Sequence, residues 1–580
     1  MSIETLQDLV ESLNHRDKVA ISWKEDGKKW EKKELTYKEL HDQILNYSKG
    51  FLELGLEKGD RVAIFSRNVP EWIALSLGIN NAGLIDVPRG EKRSVEEISY
   101  ILSQSEPKVV IVEDKELLQK VDQARNEKSL NIELILSIKE IEGIKNIKYV
   151  QEKGKNSEID LPSVKKEDSA SIIYTSGTTG TPLGVELTHG NFTSNLSALK
   201  NRFRVTEDDK FLSILPAWHV FERMVKYSAL YTGAETFHSL PQIEAISRDF
   251  KEQRPTIMAC VPQLLEKMYE RVIREVNKGG SMKKMIFNAS MKSRVIGHFI
   301  LGNRIRAKLG DNFGFFISGG AALPPHIDRF FDAAGIEIIE GYGLTQASPV
   351  VSTRVFGRKS LYTVGIPLDG VKVKIMDPNS SGKEIGKYQK GIIYVKGPNI
   401  MKGYYKNPKK TKEDLSEDGW LNTKDLGYFD SKGNIKIAGR QDRLIIPRSG
   451  ENVSPEPLED LMKKSKYISE SVVVGHGWKA LGALIVPNSE NLKVYCKENN
   501  IPYSDNLDKI LKNPKIRELY TNEIRKFVNG QQEFKIREFI LLEKPFDEKK
   551  VYTDTLKLKV GEVEKLYSKE VDTLGMKINA

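Results

Sequence analysis

Cysteine is nearly absent from this chain, since only Cys260 and Cys496 occur among its 580 residues. Two isolated cysteines argue against a disulfide framework and against a metal or redox site built on paired thiols. The sequence contains no run of about 18 consecutive apolar residues, which argues against a transmembrane helix. Its first residues also lack the basic and then apolar pattern of a secretory signal. These absences predict a protein of the reducing cytoplasm.

Basic residues exceed acidic ones, 90 to 80, which gives a formal net charge of +10. Most of this charge is lysine spread along the chain without a nucleic-acid recognition motif, so we expect no nucleic-acid partner. The exception is residues 271–308, where ten basic side chains are interleaved with apolar ones and only one acid, Glu275, occurs. Such a stretch is either a solvated helical face or an interfacial segment for anionic lipid or an acidic carrier protein. The second interpretation predicts peripheral contact with the inner face of a membrane.

The length predicts two to four structural units, at roughly 100–200 residues each. Short β-branched runs such as Val62–Phe65 and Ile172–Tyr174 alternate with helical patterns over the first three quarters of the chain. This alternation predicts an α/β fold with parallel sheets layered between helices. Beyond about residue 360 the strand patterns are half-exposed, and Gly- and Pro-rich turns separate them. We place a domain joint near Gly439, which divides the chain into residues 1–439 and 440–580.

One segment, from Tyr174 to Val185, reads Tyr-Thr-Ser-Gly-Thr-Thr-Gly-Thr-Pro-Leu-Gly-Val. It follows an apolar strand and leads into a helical pattern. Glycines and hydroxyl side chains packed this densely allow backbone N–H groups to approach a cluster of anionic oxygens. The segment is not a Walker loop, because no Gly-Lys-Ser/Thr ends it. The pattern therefore indicates a different kind of phosphate-binding loop.

This segment resembles the phosphate loop of the acyl-adenylate-forming (AMP-binding) superfamily, and four further motifs follow in that family's order. They are Gly341–Thr345 (preceded by Ser318–Leu323), Gly419–Asp425, Gly439-Arg440 with 450–455, and Thr555–Lys559. Trp218–Arg223 and Asp86–Gly90 resemble the branch of long-chain fatty acyl-CoA synthetases and acyl-ACP synthetases. The resemblance implies a large N-terminal domain of layered parallel sheets and helices plus a distorted β-barrel, which holds the acyl and ATP sites. It also implies a small mobile α+β C-terminal domain that carries a catalytic lysine.

The resemblance also implies a reaction, its cofactors and a set of site residues. A long-chain fatty acid would react with ATP, in the presence of Mg²⁺, to give acyl-AMP and pyrophosphate. The thiol of coenzyme A, or of the phosphopantetheine on acyl carrier protein, would then accept the acyl group. Nucleotide binding is assigned to Thr175, Ser176, Gly177, Thr178, Thr179, Gly180, Gly320, Ala321, Tyr342, Gly343, Thr345, Asp425 and Arg440. The catalytic set is Lys557, Thr345 and His219, with His219 lining the acyl pocket; Thr178 and Gln346 are the metal ligands and Asp442 the hinge.

Five positions depart from the family's pattern. Leu183 stands where lysine is usual, Gln346 where glutamate is usual and Lys424 where glycine is usual, and Asp554 and Val560 replace residues usual around the catalytic lysine. Loss of one charge contact to a partly solvated phosphate costs on the order of 1.5–3 kcal/mol. Two hypotheses follow: a working ligase with weakened phosphate and metal binding, or a degenerate member that binds nucleotide or fatty acid with weak catalysis.

Overall fold

The computed structural model describes residues 3–14, 17–25, 31–175, 182–378, 382–449, 452–503, 507–530, 534–552 and 558–580. All structural statements refer to these ranges. None of their helices combines the length and the apolar character that crossing a bilayer requires.

The strands of the described residues follow in chain order. They are β1 Val19–Glu25, β2 Glu31–Thr36, β3 Arg61–Phe65, β4 Ile85–Arg89, β5 Val109–Val112, β6 Leu134–Ser137, β7 Lys145–Asn146, β8 Ser169–Thr175, β9 Leu183–Thr188, β10 Lys210–Ser213, β11 Glu235–His238, β12 Ile257–Cys260, β13 Phe315–Ser318, β14 Glu337–Gly343, β15 Val350–Thr353, β16 Ile366–Pro367, β17 Lys372–Met376, β18 Gly391–Lys396, β19 Gly403–Tyr404, β20 Leu421–Phe429, β21 Ile435–Arg440, β22 Ile468–Val474, β23 Leu481–Pro487 and β24 Ile536–Leu541.

The α-helices are α1 Leu6–Glu11, α2 Tyr37–Glu53, α3 Glu71–Asn81, α4 Val95–Ser105, α5 Lys115–Lys128, α6 Lys148–Lys155, α7 His189–Lys200, α8 Val220–Thr232, α9 Ile243–Gln253, α10 Pro262–Lys278, α11 Gly280–Lys292, α12 Arg294–Gly297, α13 Asn303–Leu309, α14 Pro325–Ala334, α15 Pro408–Asp414, α16 Glu456–Met462, α17 Ser489–Glu498, α18 Leu507–Leu511, α19 Pro514–Ile524, α20 Glu548–Val551, α21 Val560–Leu566 and α22 Ser568–Asn579. Short π-helical turns occur at His298–Gly302 and Arg525–Asn529, and 3₁₀ turns at Thr345–Ala347 and Gln441–Arg443.

The chain forms two compact units whose sequences are interleaved. The larger comprises Met1–Lys374, Tyr394–Thr423 and Lys432–Ile435, and the smaller comprises Ile375–Ile393, Lys424–Ser431 and Lys436–Ala580. The predicted α/β class, with parallel sheets and a smaller C-terminal unit, is confirmed. The domain joint at residue 439 stays a prediction; two short segments of the smaller unit precede it, and the main segment of that unit begins at Lys436.

Two large sheets form the larger unit. Nine strands run in the order β16-β15-β14-β13-β12-β10-β11-β1-β2, and every neighbouring pair from β14 to β1 is parallel. Eight strands run in the order β19-β9-β8-β4-β3-β5-β6-β7, parallel from β8 to β7. A further sheet has four strands in the order β17-β18-β20-β21; the distorted β-barrel that the resemblance implies stays a prediction.

Side-chain alternation along β13 shows why the nine-stranded sheet is buried on both faces. Phe315 and Ile317 enter the core that also contains Val225 of α8. Phe316 points to the opposite core, with Phe331 of α14. Successive strand residues face opposite sides, so an unbroken apolar run satisfies both cores. The carboxyl ends of β12, β13 and β14 reach the same edge, where open α/β sheets bind their ligands.

The smaller unit is built on the three-stranded sheet β22-β23-β24. Strands β22 and β23 are antiparallel, and β23 and β24 are parallel. Ala483 and Ile485 face a core with α16, α17 and α19. Leu484 and Val486 face a second core with α21 and α22. This alternation gives the unit its own hydrophobic interior.

Candidate active site

The ends of the predicted phosphate loop are fixed by a β-hairpin. Strand β8 ends at Thr175, which is paired with Leu183, the first residue of β9. The Thr175 hydroxyl donates to the Leu183 carbonyl at 3.4 Å. Residues 176–181 lie outside the described residues, and so do the predicted contacts of Ser176, Gly177, Thr178, Thr179 and Gly180. The structure therefore shows where the loop begins and ends.

Arg89 holds the strand that enters this loop. Its Nη1 donates to the carbonyl of Tyr174 at 2.7 Å, and its Nε donates to Glu97 at 2.9 Å. The guanidinium also lies over the ring of Trp218, 5.4 Å from the centroid. Only 5% of Arg89 is exposed. Its charge is therefore satisfied by a carboxylate, a carbonyl and an aromatic face within the protein.

The two segments that suggested the long-chain branch contact each other. Arg223 of α8, fully buried, donates to Asp86 of β4 at 3.0 Å. A Cβ atom on Gly90 would lie 2.6 Å from the indole of Trp218. Glycine is therefore required at residue 90 by the ring that covers it. The contacts join the eight-stranded sheet to the helix that follows β10.

An apolar cavity lies at the carboxyl edge of the nine-stranded sheet. Its wall includes Phe203, Phe211, Phe221, Met224, Val225 and Ile317. Five of the predicted site residues complete it, namely His219, Gly320, Tyr342, Gly343 and Thr345. The free volume is about 90 Å³, below the roughly 300–1,000 Å³ of ordinary small-molecule pockets. The cavity thus combines an apolar interior with the polar, glycine-rich end of β14.

His219 is held in the cavity wall by the helix that it caps. Its Nδ1 accepts a hydrogen bond from the Phe221 backbone N–H at 3.3 Å, at the N-terminus of α8. Side-chain capping satisfies one of the free N–H groups of the first turn. The accepting nitrogen must be unprotonated, so the imidazole carries any proton on Nε2. This hydrogen bond therefore determines which tautomer of His219 lines the cavity.

The backbone at Gly320 is exposed and has open space beside it. Gly320 has φ +83°, and a Cβ added there would meet only Val261, at 3.9 Å. Gly320 and Ala321 are both exposed. The following turn is tied to β14 because the Leu323 N–H donates to the Glu340 carboxylate at 3.0 Å. Glycine thus leaves open space at a fixed position beside Tyr342.

Gln346 belongs to a hydrogen-bonded chain behind the Thr345 turn. Its Nε2 donates to the Tyr404 hydroxyl at 3.1 Å, and that hydroxyl donates to Asp414 at 2.9 Å. Lys410 approaches the same carboxylate at 3.1 Å. The phenol has one hydrogen, which Asp414 takes, so Gln346 must present its nitrogen to Tyr404. The amide carbonyl of Gln346 is left as an acceptor, which fits a hard cation such as Mg²⁺.

No group of three or more His, Cys, Asp or Glu side chains in the described ranges is placed to hold a metal ion. Mg²⁺ commonly keeps several water ligands and binds through one or two protein oxygens together with substrate phosphates. A single carbonyl from Gln346 is compatible with that kind of site.

The smaller unit brings three other predicted residues together. Arg440 donates through Nη1 to Asp425 at 2.9 Å, and through Nε and Nη2 to Asp442 at 2.9 and 3.0 Å. One guanidinium therefore links the predicted ribose ligand to the predicted hinge. Lys424, next to Asp425, has φ +60°. This left-handed conformation favours glycine, which explains why lysine is an unusual residue there.

Lys557 and Asp554 lie outside the described residues, so the structure does not describe the predicted catalytic lysine. Val560 begins α21. The roles assigned to Thr345, His219, Asp425, Arg440 and the other predicted residues remain predictions.

Sequence reasoning missed four residues that hold this site. Tyr404 and Asp414 set the orientation of Gln346, and Glu340 and Arg354 form a buried pair at 2.6 Å behind the Leu323 turn. Glu340 could have been found from the sequence, because an acid inside the apolar strand Glu337–Gly343 requires a partner. Nothing local points to Tyr404 or Asp414, which lie more than fifty residues from Gln346 in the sequence.

Comparison with known proteins identifies the family. The model of the AMP-binding enzyme family matches residues 11–405, and that of the AMP-binding enzyme C-terminal domain matches residues 442–519. A chloroplastic long-chain-fatty-acid–[acyl-carrier-protein] ligase of Arabidopsis thaliana, AEE15, is 30% identical over 93% of this chain and 82% of its own length. Long chain acyl-CoA synthetase 3 of the same plant is 26% identical over 95% of this chain and 88% of its length.

Solved structures share the fold. The crystal structure of ATP-bound MatB from Rhodopseudomonas palustris has a TM-score of 0.74 at 23% identity, and covers 97% of this chain and 99% of that one. The o-succinylbenzoate coenzyme A synthetase MenE of Bacillus subtilis, in complex with ATP and magnesium ion, has a TM-score of 0.71 at 20% identity, with coverage of 97% and 99%. At these identities the likeness bears on the fold alone. On the match of the family model to most of its length, this chain belongs to the AMP-binding enzyme family.

Proposed function

We propose that this enzyme activates a long-chain fatty acid as acyl-AMP, with release of pyrophosphate, and then transfers the acyl group to the thiol of coenzyme A. The observation that carries the proposal is the apolar cavity, one end of which is formed by Gly320, Tyr342 and Thr345. A carboxylate resists thiol attack because its leaving group would be an oxide. The mixed anhydride with AMP provides a better leaving group, so the two steps need an acyl site next to a nucleotide site.

Each residue then has a role in positioning or in charge stabilisation. The acyl tail occupies the cavity beside His219, adenine lies against Tyr342, and Thr345 contacts the α-phosphate. The loop that begins at Thr175 holds the outer phosphates, Asp425 accepts hydrogen bonds from the ribose hydroxyls, and Lys557 neutralises charge where carboxylate oxygen meets phosphorus. Bound Mg²⁺ would offset the charge of the phosphates, with Thr178 and Gln346 as its protein ligands.

A long acyl chain requires more room than the cavity has. We infer that Phe203, Phe221 and Met224 move when the acid enters. Phe203 and Phe221 are only partly buried. Met224 is an unbranched side chain that adapts to new neighbours. Chain length would then be set by how far these three side chains can move.

Fatty-acid-dependent release of pyrophosphate tests the proposal. We expect Lys557→Ala to lower that rate by about 10²–10³, as loss of one transition-state donor does. The matched control is Lys559→Ala, because Lys559 carries the same charge two residues further on and its backbone N–H bonds to Val551 at 2.7 Å. Nucleotide binding without pyrophosphate release by the wild type would favour the degenerate, weakly catalytic member. Equal rates for Lys557→Ala and the wild type would refute the role of the lysine.

Leu183 bears on the rate of such an enzyme, since it stands at the end of the loop where a lysine would add charge. We expect Leu183→Lys to lower the KM for ATP by about tenfold or more, as one charge contact of about 1.5–3 kcal/mol would. An unchanged KM would show that a lysine at residue 183 adds no contact to the phosphates of ATP.

Acyl carrier protein is a second candidate for the acceptor. The observation in its favour is the 30% identity to a relative named as an acyl-carrier-protein ligase. Both acceptors present the same phosphopantetheine thiol, so thioester formation from the same acid should be compared with coenzyme A and with holo acyl carrier protein. We place the reaction in a reducing compartment, the cytoplasm, and both cysteines are buried as free thiols.

A further inference from the structure

Exposed apolar side chains are concentrated on one layer of helices in the larger unit. Six of the fourteen large apolar side chains that are exposed in the described residues lie between residues 282 and 299. Four of them protrude far: Val295 is 81% exposed, Met282 and Phe299 71%, and Met285 67%. A cluster of this kind on a protein surface marks a contact site.

The inner side of this layer is fixed against α14. The rings of Phe287 and Phe330 are stacked with centroids 6.4 Å apart. A Cβ atom on Gly297 would lie 2.4 Å from the Ala333 carbonyl oxygen, so this backbone touches α14 directly. Residues 282, 285 and 286 follow the i, i+3, i+4 spacing of one helical face, as do 295 and 299. The protruding side chains therefore form the outer side of the layer, which we call the outer face.

The charge around the outer face is mainly positive, although Arg274 pairs with Glu270 at 3.7 Å and Arg294 with Asp332 of α14 at 3.6 Å. Residues 271–308 carry ten Lys and Arg and one acid, Glu275, which Lys308 approaches at 3.2 Å. Lys283 and Lys284 lie beside Met282 and Met285, and neither is paired with an acid among the residues that the structure describes. Unpaired lysines next to protruding apolar side chains suit a partner in which anionic groups lie above an apolar layer.

We propose that the outer face docks on an anionic phospholipid bilayer, with Val295, Phe299, Met282 and Met285 entering the headgroup and acyl boundary. The positive charge would also suit an acidic carrier protein, but a bilayer in addition buries the four apolar side chains that protrude this far. The contact does not depend on the proposed reaction, although it would bring the enzyme to where long-chain acids partition.

Vesicle binding of the full-length protein tests this inference. The probe is phosphatidylcholine vesicles with about one-third phosphatidylglycerol, compared with phosphatidylcholine alone. We expect binding to the anionic vesicles only, weakened by salt because screening acts on exposed charges. Lys283→Glu with Lys284→Glu should reduce the partition coefficient at least about 25-fold, at about fivefold for each lost charge. Val295→Asp with Phe299→Asp should reduce it about 100-fold through lost apolar burial.

Control variants carry the same changes elsewhere. Lys128→Glu with Lys155→Glu alters two exposed lysines of α5 and α6, and Met576→Asp alters a side chain that is 73% exposed; neither should change vesicle binding. Pyrophosphate release with a short, soluble fatty acid should be equal in all variants, which separates docking from catalysis. Vesicle binding by the outer-face variants equal to that of the wild type would overturn the proposal. Loss of holo acyl carrier protein binding, with vesicle binding intact, would assign the face to the carrier protein instead.

Discussion

Gln346 and Asp414 share one hydroxyl group, that of Tyr404. Tyr404 and Asp414 are each 6% exposed, so water cannot replace a lost partner. Gln346→Glu would place two carboxylates on a phenol that has one hydrogen, and one carboxylate would lose its donor. A buried polar group left without its partner costs about 1–3 kcal/mol, so we expect the free energy of unfolding to fall by about 2 kcal/mol.

Asp414→Asn should relieve this conflict, because its amide can donate to Tyr404 while the tyrosine donates to Glu at residue 346. Alone, Asp414→Asn weakens the ion pair with Lys410, which keeps Glu413 as a partner at 2.9 Å, so we expect a cost of about 1 kcal/mol. The double variant should therefore be more stable than Gln346→Glu alone, with a coupling energy of about 2 kcal/mol.

Urea denaturation of the wild type, both single variants and the double variant measures this coupling. The Mg²⁺ concentration needed for half-maximal pyrophosphate release should fall further in the double variant than in Gln346→Glu, because Tyr404 then donates to the new carboxylate alone. A coupling energy below about 0.5 kcal/mol would mean additive effects. Such a result would show that the Tyr404 hydroxyl does not determine the orientation of the Gln346 side chain.

Lys424→Gly should raise the free energy of unfolding by about 1 kcal/mol, since it removes the cost of a left-handed lysine; equal or lower stability in urea would contradict the strain. Burial lowers the pKa of His189 from 6.5 to about 4. Between pH 6.5 and pH 4 the unfolded chain therefore binds more protons than the folded one, and lowering the pH through this range reduces the free energy of unfolding by about 3 kcal/mol. His189→Asn should flatten this pH dependence of urea unfolding, and an unchanged slope would assign it to other groups. Gly90→Ala should cost about 1–3 kcal/mol and raise the KM for fatty acid, because the new methyl group displaces Trp218. Gly561→Ala, where a Cβ meets nothing within 4 Å, is the control, and equal effects would refute the contact.

The local parts of the fold were predictable from the sequence. Strands such as β8 and β13 are short apolar runs whose side chains are buried on both faces of their sheet. Their hydrophobic pattern and the turn residues at their ends identify them in the sequence. The ordered motifs indicated which segments gather at the site. The phosphate loop at residues 176–181 and the segment 553–557, which contains Lys557, lie outside the described residues. The roles predicted for this loop and for Lys557 therefore stay predictions.

The remaining features depend on contacts between distant parts of the chain. Asp86 and Arg223 are 137 residues apart, and no periodicity pairs them. Lys424 could be recognised as unusual, but its positive φ follows from the path of the backbone. The interleaved units could not be predicted either, because residues 375–393 and 424–431 resemble their neighbours in composition and differ only in what they pack against.

The contacts of Asp86 with Arg223 and of Gly90 with Trp218 have a consequence for protein engineering. Residues 86–89 belong to β4 of one sheet and Gly90 follows it, and residues 218–223 include the first turn of α8, which covers the other sheet. Replacing α8 and the residues before it without the matching segment 86–90 would leave a buried charge without its partner or place a Cβ atom against the Trp218 ring. The two segments therefore form one module that must be exchanged together when substrate preference is redesigned.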